Sequence, residues 1–511
     1  MKKYDFIVVG SGCAGLGAGL ELAYNGKKVL MIEQHNIPGG CATSFKRGRF
    51  EFDPSLHELC SVGSEEKPGG VRELLDKFGV KLEWSRVDDC FRCVSVYSDG
   101  TPMDVTMPCG IPEFIDKMEY YVPGTKQKMV EFFELFDEID EGTNYASQDK
   151  YNLIKLMVKY PNFLKTGSYD TMSILKALDL PQKCIDILSV YWSYLGVDMD
   201  HLNFVHYVSM VKSYVELGAY IPTHTSHDIS VSMVERFKEM GGEIWFNCRA
   251  SEFIFEGNKC TGVKTNLGTV YADCVMANIN PDIIFGKMMD KSIVPEKEKK
   301  LSAARNRLLG ARMFTMHIGL NTTAEKLGIK DYSIFLPDSS DSTAEYNSLK
   351  SVDTNNYSIF LCYNICNPKA SPEGTCQVSF TTMFAAPDDW NDVKDEDYYA
   401  LKNKVCAKII NNLKEKTGID IAPYIEEIAI SSPWTFARYI GVPEGSVYGF
   451  ETRDWDNIMA RTMSMAQDYN INGLIPIGTS GIRGDGYSSC LMSGSIMAKF
   501  ALKKYGKGGN K

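Results

Sequence analysis

The sequence lacks any run of about 18 apolar residues, the length that a membrane-spanning helix requires. Its first residues, Met1 to Asp5, lead directly into an apolar strand, and no signal-peptide core precedes that strand. The net charge of −10 offers no basic surface for a phosphate backbone, so nucleic acid is not an expected partner. We therefore expect a cytoplasmic protein.

Patterns that bind metal ions are also scarce. The 15 cysteines are odd in number and scattered, so reduced thiols are expected rather than disulfides or a metal centre. His224 and His227 have an H-x-x-H spacing but no clear third ligand, and no metal site is predicted. The length of 511 residues, 44% of them hydrophobic, is sufficient for two or more globular domains.

A strand–turn–helix–strand unit opens the chain. The apolar strand Tyr4–Val9 runs into a G-x-G-x-x-G turn made by Gly10, Gly12 and Gly15, and a helical pattern follows. A second apolar strand ends in Glu33, about 20 residues further on, as a dinucleotide-binding βαβ unit requires. The glycines let the backbone approach a pyrophosphate at the helix N-terminus, and the acid is the predicted ribose ligand.

Two further glycine-rich turns follow strands. Gly39-Gly40 comes after the second strand, and a strand ending at Gly478 leads through residues 479–487 into the last predicted helix. Three such strand ends predict one long cofactor across one sheet. NAD would not need the last turn, whereas FAD is long enough to place its isoalloxazine near the final helix. Noncovalent FAD is therefore the predicted cofactor.

Between these turns the pattern changes twice. Helical patterns dominate from residue 111 to 218, among them Lys150–Tyr160 and Gln182–Tyr194. A helix and a strand meander then lead to Val275, and a mixed α+β block occupies residues 295–450. We therefore predict a discontinuous α/β domain with insertions.

The chain resembles the phytoene desaturase, carotenoid isomerase and retinol saturase family of FAD-dependent oxidoreductases. The resemblance covers most of the chain, and its most specific segments are the first glycine turn with Glu33 and the loop Pro38–Phe45. The remaining segments are Phe52-Asp53 with His57, Gly241-Gly242, Asn280-Pro281, Tyr448-Gly449, Gly484–Ser488 and Ser493-Gly494.

The resemblance implies a Rossmann-type FAD-binding domain, with a parallel sheet and a β-meander, plus a mixed α+β substrate domain with a helical insertion. We assign residues 1–100, 226–295 and 451–511 to the FAD-binding domain, 101–225 to the insertion and 296–450 to the substrate domain. The implied activity is hydride transfer at flavin N5 that desaturates, saturates or isomerises a long apolar polyene, isoprenoid or unsaturated lipid.

The predicted site residues follow from these turns. Those expected to bind the cofactor are Gly10, Gly12, Cys13, Ala14, Gly15, Glu33, Gln34, Gly40, Cys41, Ala42, Thr43, Ala250, Gly478, Asp485, Gly486 and Tyr487. The catalytic candidates are His57, Arg483, Asp485 and Tyr487, with Glu58 as a further acid/base candidate, and they include groups able to move a proton beside the flavin. Thr479 stands where related flavoproteins often have Asp, which implies an altered ribityl contact through Thr479 or Asp485.

One helix of the insertion has an unusually broad apolar surface. Its Lys155 and Lys159 form a narrow basic stripe, while apolar side chains occupy more than half of the helical wheel. Such a helix either lies half buried or rests on a membrane surface with its lysines near phosphates. Peripheral membrane contact is therefore an open alternative, and the oligomeric state is left open.

Two other functions fit the same fold. A flavin amine oxidase needs an aromatic cage beside the flavin, for which Trp434, Tyr439 and Tyr448 are candidates. A prenyl-protein chaperone of the GDP-dissociation-inhibitor kind would not use FAD, and the intact phosphate loop argues against it. The direction of the reaction stays open. Reduction of a double bond would need reduced flavin, with NAD(P)H as the candidate electron donor.

Overall fold

The computed structural model describes residues 3–146, 152–305, 309–451, 471–479 and 486–506. The strands are β1 Lys3–Val9, β2 Val29–Ile32, β3 Phe45–Arg47, β4 Phe50–Phe52, β5 Trp84–Val87, β6 Asp89–Val96, β7 Pro102–Pro108, β8 Ala219–Pro222, β9 Glu243–Trp245, β10 Ala250–Glu256, β11 Lys259–Thr265, β12 Gly268–Ala277, β13 Arg312–Leu320, β14 Ser333–Phe335, β15 Ile359–Cys362, β16 Cys376–Phe384, β17 Ile425–Ser431 and β18 Leu474–Pro476.

The helices connect and cover these strands. They are α1 Cys13–Tyr24, α2 Gly70–Phe78, α3 Ile111–Tyr121, α4 Lys126–Ala146, α5 Leu153–Lys159, α6 Pro161–Thr166, α7 Thr171–Ala177, α8 Gln182–Ser189, α9 Trp192–Leu195, α10 Phe204–Leu217, α11 Ser226–Glu239, α12 Pro281–Lys287, α13 Glu296–Arg305, α14 Ser342–Ser348, α15 Asp389–Asp392, α16 Tyr398–Thr417, α17 Pro433–Ile440 and α18 Tyr487–Tyr505, with short 3₁₀ turns at Tyr363–Ile365, Ala422–Tyr424 and Pro443–Gly445.

The first sheet gathers strands from widely separated parts of the chain. Its order is β10-β11-β12-β1-β2-β9, and β18 pairs with the last residues of β12. Because β1, β2, β12 and β18 are parallel, their carboxyl ends meet, with Val9 opposite both Ile32 and Ala277, and Ala277 opposite Pro476. Ligands of open parallel sheets bind at this kind of edge.

Helix α1 lies at the centre of the first layer. Cys13 to Ala23 are buried, since the last helix α18 crosses α1 at very short range. A Cβ on Gly17 would overlap the carbonyl of Leu491, and one on Gly494 would overlap the carbonyl of Ala14. Gly17 and Gly494 therefore allow the backbones of α1 and α18 to come into direct contact. This contact brings the N-terminal and C-terminal parts of the chain together at the first sheet.

The second sheet has the order β17-β13-β16-β15-β14-β6-β7 and is antiparallel except for the β14–β6 pair. Alternating side chains supply two cores. Phe335 and Leu361 face a core shared with the helices between residues 111 and 217, whereas Ile334 and Phe360 belong to a core shared with α16. The sheet thus stands between the helical region and α16.

The structure differs from the sequence analysis at two places. Residues 89–108 form β6 and β7 of the second sheet, although they were divided between the FAD-binding domain and the insertion. The predicted helix Gln182–Tyr194 is interrupted between α8 and α9, because Val190 and Tyr194 donate to carbonyls three residues back. The buried Tyr191 hydroxyl meanwhile donates to the carbonyl of Cys90 at 2.9 Å.

Among the described residues, no helix is long and apolar enough to cross a bilayer.

Candidate functional site

The first glycine turn forms a close-fitting cradle at the edge of the sheet. A Cβ on Gly10 would lie 2.8 Å from the carbonyl oxygen of Asn278, and one on Gly12 would lie 2.9 Å from Asn278 Nδ2. A Cβ on Gly15 would overlap the carbonyl of Gly10. Gly12 caps α1 without a side-chain hydrogen bond, so the helix presents its first amides to a ligand.

Glu33, the predicted ribose ligand, lies against this turn. Its Oε2 accepts hydrogen bonds from the amide and hydroxyl of Ser11, at 2.8 and 2.6 Å, and its Oε1 accepts one from the amide of His35 at 2.8 Å. An ionised carboxylate has about four acceptor positions, which leaves room for a ribose hydroxyl. Gln34 beside it is exposed.

The predicted Ala250 lies near the same end of the sheet. It begins β10 just after a loop in which the amide of Cys248 donates to the carbonyl of Glu33 at 2.8 Å. The structure therefore brings the segment before Ala250 to the acid, while Ala250 itself pairs with Thr265 in the meander.

The second glycine loop closes over the first. The amide of Gly39 donates to the carbonyl of Ser11 at 3.0 Å, and a Cβ on Gly40 would lie 3.3 Å from Cα of Gly12. Ala42 is fully buried, and the hydroxyl of Ser230 on α11 donates to its carbonyl. Thr43 follows, partly exposed. The two loops thus form one continuous surface.

The last helix completes the site. The hydroxyl of Tyr487, at the start of α18, donates to the carbonyl of Cys41 at 2.5 Å and lies 2.9 Å from Ser55 Oγ. A Cβ on Gly478 would lie 2.7 Å from Asn278 Oδ1. Gly486 precedes the helix and is exposed. The segment of the third glycine turn therefore begins beside Asn278 and leads to Tyr487, which contacts the second glycine loop.

Two of the catalytic candidates, Arg483 and Asp485, lie outside the described residues. His57 lies at the boundary with the second sheet, where its Nε2 is 2.7 Å from Thr381 Oγ1 on β16. Burial lowers the pKa of His57 to about 4, so the imidazole is neutral near pH 7. Thr479 neighbours Gly449, whose Cβ would lie 3.0 Å from the Thr479 hydroxyl.

Tyrosines surround the segment that contains His57. The carbonyls of Leu56, His57 and Glu58 each accept a hydrogen bond from a different tyrosine hydroxyl. The donors are Tyr363, Tyr332 and Tyr214, respectively. These bonds hold the segment between the first sheet and the second.

We infer an internal space between the glycine loops and this segment from four partly accessible side chains. Cys41, His57, Tyr194 and Tyr487 keep accessible surface although protein surrounds each of them. The surface they expose must therefore face a space inside the molecule. Such a space is where the reacting part of a cofactor and its substrate would meet.

The thiols at the site are not redox groups at neutral pH. Burial raises the pKa of Cys13 to about 12 and that of Cys41 to about 11, so both are protonated. One C-x-x-C spacing, Cys90 with Cys93, was not identified in the sequence analysis; it lies on β6, and both side chains are buried in the core shared with the helices between residues 111 and 217. Within the described part of the chain, no cluster of three or more ligand-type side chains could hold a metal ion.

Sequence reasoning missed Asn278. The residue was not among the predicted site residues, yet its side chain separates Gly12 from Gly478. The available signal was its position directly after Ala277, the last residue of a strand parallel to β1. The residues present therefore fit FAD: an open helix N-terminus, an acid for the ribose and a glycine-lined path between them.

Comparisons with known proteins agree with this geometry. Residues 8–78 match the model of an NAD(P)-binding Rossmann-like domain. The chain is 23% identical to all-trans-retinol 13,14-reductase of Rattus norvegicus over 97% of its own length and 84% of the relative's. It is 22% identical to chloroplastic prolycopene isomerase of Daucus carota, covering 97% and 80%, and 25% identical to 1-hydroxycarotenoid 3,4-desaturase of a Flavobacterium strain, covering 98% of both chains.

Solved structures show the same fold along the whole chain. An oxidoreductase from Methanosarcina mazei superposes with a TM-score of 0.65 at 13% identity, covering 98% of this chain and 100% of that one. Putrescine oxidase bound to putrescine gives 0.63 at 13% identity, covering 98% and 99%. At these identities the likeness concerns the fold alone. The three named relatives and the Rossmann match show that the chain is similar to the phytoene desaturase, carotenoid isomerase and retinol saturase family of FAD-dependent oxidoreductases.

Proposed function

We propose that this protein binds FAD noncovalently along the carboxyl edge of the first sheet and transfers hydride to or from a carbon–carbon double bond of a long apolar polyene, isoprenoid or unsaturated lipid. The observation that carries the proposal is the meeting of three glycine turns, from both ends of the chain, around Asn278 and Cys41. A shorter nucleotide would not need the third turn.

The chain's own residues would bind and orient the cofactor. The first amides of α1 bind the pyrophosphate, Glu33 binds the ribose and Tyr487 fixes the carbonyl of Cys41 beside the internal space. When bound, FAD supplies the hydride acceptor or donor. The neutral, buried thiols of Cys13 and Cys41 are poor nucleophiles, which supports noncovalent binding.

Aromatic side chains would exclude water from the substrate. Tyr194 packs with its ring centroid 5.3 Å from that of Phe335 and 5.7 Å from that of Tyr214, and Tyr191 stacks on Tyr214 at 5.3 Å. The other three rings are buried behind Tyr194, which is partly accessible, and an aromatic boundary of this kind suits an apolar polyene, in keeping with the retinoid and carotenoid names of the relatives.

The amine oxidase alternative is less well supported. Trp434 donates to the carbonyl of Trp390, Tyr439 stacks on His35 near the ribose end, and Tyr448 donates to the carbonyl of Ser193. Three different surroundings do not make one aromatic cage. The likeness to putrescine oxidase is therefore a likeness of fold.

Peripheral membrane contact is the second part of the proposal. Four apolar side chains of α5 are exposed: Leu153, Ile154, Met157 and Val158. The opposite side of α5 packs through Leu156. Exposed Lys155 lies with its Nζ 4.7 Å from the centroid of the Tyr145 ring, and exposed Lys159 pairs with Glu141 at 3.2 Å. A short helix of this kind fits the interface of a lipid bilayer, with apolar side chains among the acyl chains and lysines at the phosphates. Location in the cytoplasm stays a prediction.

An anaerobic experiment tests the main proposal. Purified protein is loaded with FAD and titrated with NADH, NADPH and dithionite, and the reduced or oxidised protein is then mixed with all-trans-retinol, carotenoids and polyunsaturated fatty acids. We expect a yellow protein whose flavin spectrum changes on addition of a polyene, with a product changed by two hydrogens or by double-bond geometry. A protein that stays colourless after incubation with FAD would refute it, and peroxide release from amines would favour the amine oxidase.

A further inference from the structure

The carboxyl group of Glu58 is a buried polar group with an incomplete set of partners. The residue is 7% exposed and lies next to His57 in the segment between the two sheets. The hydroxyl of Tyr194 donates to Oε1 at 2.6 Å, whereas Oε2 is buried and has no hydrogen-bond partner in the part of the chain that the structure describes. A buried acceptor without a partner is costly in a merely structural role.

The surroundings of Glu58 favour its protonated form. Among the described residues, the titratable groups whose pKa values the charge of Glu58 raises include five tyrosines and one cysteine: Tyr191, Tyr194, Tyr214, Tyr332, Tyr363 and Cys366. Adjacent His57 is neutral near pH 7, and no lysine or arginine among the described residues pairs with the carboxyl group. Burial raises the pKa of Glu58 to about 7, and the hydrogen bond from Tyr194 offsets part of that rise.

Tyr194 connects this carboxyl group to the internal space. Its ring packs against the ring of His57, with 5.6 Å between centroids, and keeps accessible surface although protein surrounds it. Glu58 Oε2, in contrast, has no accessible surface of its own. A proton that leaves the carboxyl group can therefore reach the space through the phenol oxygen, 2.6 Å away.

We propose that Tyr194 and Glu58 form the proton-transfer pair of this enzyme, in which Tyr194 exchanges a proton with the substrate carbon and Glu58 exchanges one with Tyr194. The inference rests on the proposed function, since it concerns the proton that accompanies hydride transfer. Tyr194 would touch the substrate and is the catalytic residue of the pair; Glu58 acts through it.

The step balances for reduction of a double bond. Hydride from the reduced flavin adds to one carbon, and the electron pair of the π bond takes the Tyr194 proton at the other carbon. The phenol oxygen recovers a proton from the carboxylic acid of Glu58, which is left as a carboxylate and regains a proton from water. Desaturation is the same transfer reversed, with the Glu58 carboxylate as the final acceptor and oxidised flavin as the hydride acceptor.

A first test needs no substrate. FAD-loaded protein is titrated from pH 5 to 9 while the flavin absorbance and the infrared band of protonated carboxyl groups are recorded. Glu58→Gln is the test variant, and Glu345→Gln is the matched control, because Glu345 is also buried and burial also raises its pKa to about 7. We expect a flavin absorbance change near pH 7 that Glu58→Gln removes and Glu345→Gln keeps.

A second test follows the chemistry with all-trans-retinol and a carotenoid as probes. Tyr194→Phe is compared with Tyr207→Phe, since Tyr207 is a buried tyrosine of the same helical region, but its hydroxyl donates to the backbone carbonyl of Leu188 at 2.7 Å and not to a carboxyl group. In anaerobic single turnover we expect Tyr194→Phe to slow product formation by about 100-fold or more, the usual contribution of a general acid or base, with dithionite reduction of the flavin unchanged. Tyr207→Phe should stay close to wild type.

The outcomes separate the two proposals. If the protein binds no FAD, the proposed function fails and this inference fails with it. If FAD binds and is reduced, but the pH-dependent absorbance survives in Glu58→Gln, the proton pair is wrong while the proposed function stands. Wild-type turnover by Tyr194→Phe on either probe would likewise overturn the pair.

Discussion

The side chain of Asn278 separates Gly12 from Gly478. Its Nδ2 lies 2.9 Å from the position of a Cβ on Gly12, and its Oδ1 lies 2.7 Å from that of a Cβ on Gly478. The backbone amide of Asn278 donates to the carbonyl of Val9 at 2.8 Å. One amide side chain therefore spaces the first and last glycine turns, which lie at opposite ends of the chain.

Replacing Asn278 should weaken FAD binding more than it weakens the fold. Asn278→Leu puts a branched apolar side chain between the two turns, and we expect at least a tenfold loss of FAD affinity, which corresponds to about 1.4 kcal/mol. The measurement is flavin fluorescence on titration of apoprotein. Asn280→Ala is the control: it removes the cap of α12, which costs about 1 kcal/mol of stability, and should bind FAD normally. Equal FAD affinity of Asn278→Leu and wild type would contradict the assignment.

The close fit at Gly15 gives a second prediction. A Cβ there would overlap the carbonyl of Gly10, so Gly15→Ala must displace the turn that approaches the pyrophosphate. We expect Gly15→Ala to abolish FAD retention on a desalting column. Gly286→Ala on α12 is the matched control, since a Cβ there meets nothing within 4 Å. If both variants retain FAD equally, the turn is not the phosphate site.

Local signals were enough to predict the first half of this site. The strand β1, the turn at Gly10, helix α1 and Glu33 are contiguous, so periodicity and glycine spacing predict them without tertiary information. The meander between Ala250 and Ala277 was predicted for the same reason. Each of these features is decided by residues close together in sequence.

What the sequence did not reveal depends on contacts between distant segments. Tyr194 and Glu58 are 136 positions apart in the sequence. Their hydrogen bond forms because the helical region packs between the second sheet and the segment that contains His57. Strand β6 joined the second sheet because Arg92 pairs with Ile334, far along the chain. No local pattern distinguishes such a strand from one of the first sheet, since the alternation of apolar and polar side chains does not determine which strand it pairs with.

The exposed side of α5 predicts lipid-dependent binding. Val158 is 77% exposed, and Val158→Glu should reduce co-sedimentation with vesicles of phosphatidylcholine and phosphatidylserine by removing apolar insertion and adding repulsion. Leu267→Glu, at a hairpin turn where the leucine is 60% exposed, is a control of equal charge change and should not alter binding. Equal loss in both variants would indicate a general charge effect, and absence of wild-type binding would exclude membrane contact.

Glu345 makes stability depend on pH in a direction that can be checked. Burial raises its pKa from 4.5 to about 7, so the folded protein binds a proton that the unfolded chain has lost above pH 4.5. Its stabilising effect is complete below about pH 4.5 and is lost as the pH rises through about 7, a change of about 3 kcal/mol. Glutamine keeps the acceptor for the amide of Ser339, now 2.8 Å from Glu345 Oε1, without a charge. We therefore expect Glu345→Gln to unfold at a higher urea concentration than wild type at pH 8 and at a similar concentration at pH 4.5. Exposed Glu235→Gln should match wild type at both pH values. A difference that does not vary with pH would show that folding does not raise the pKa of Glu345.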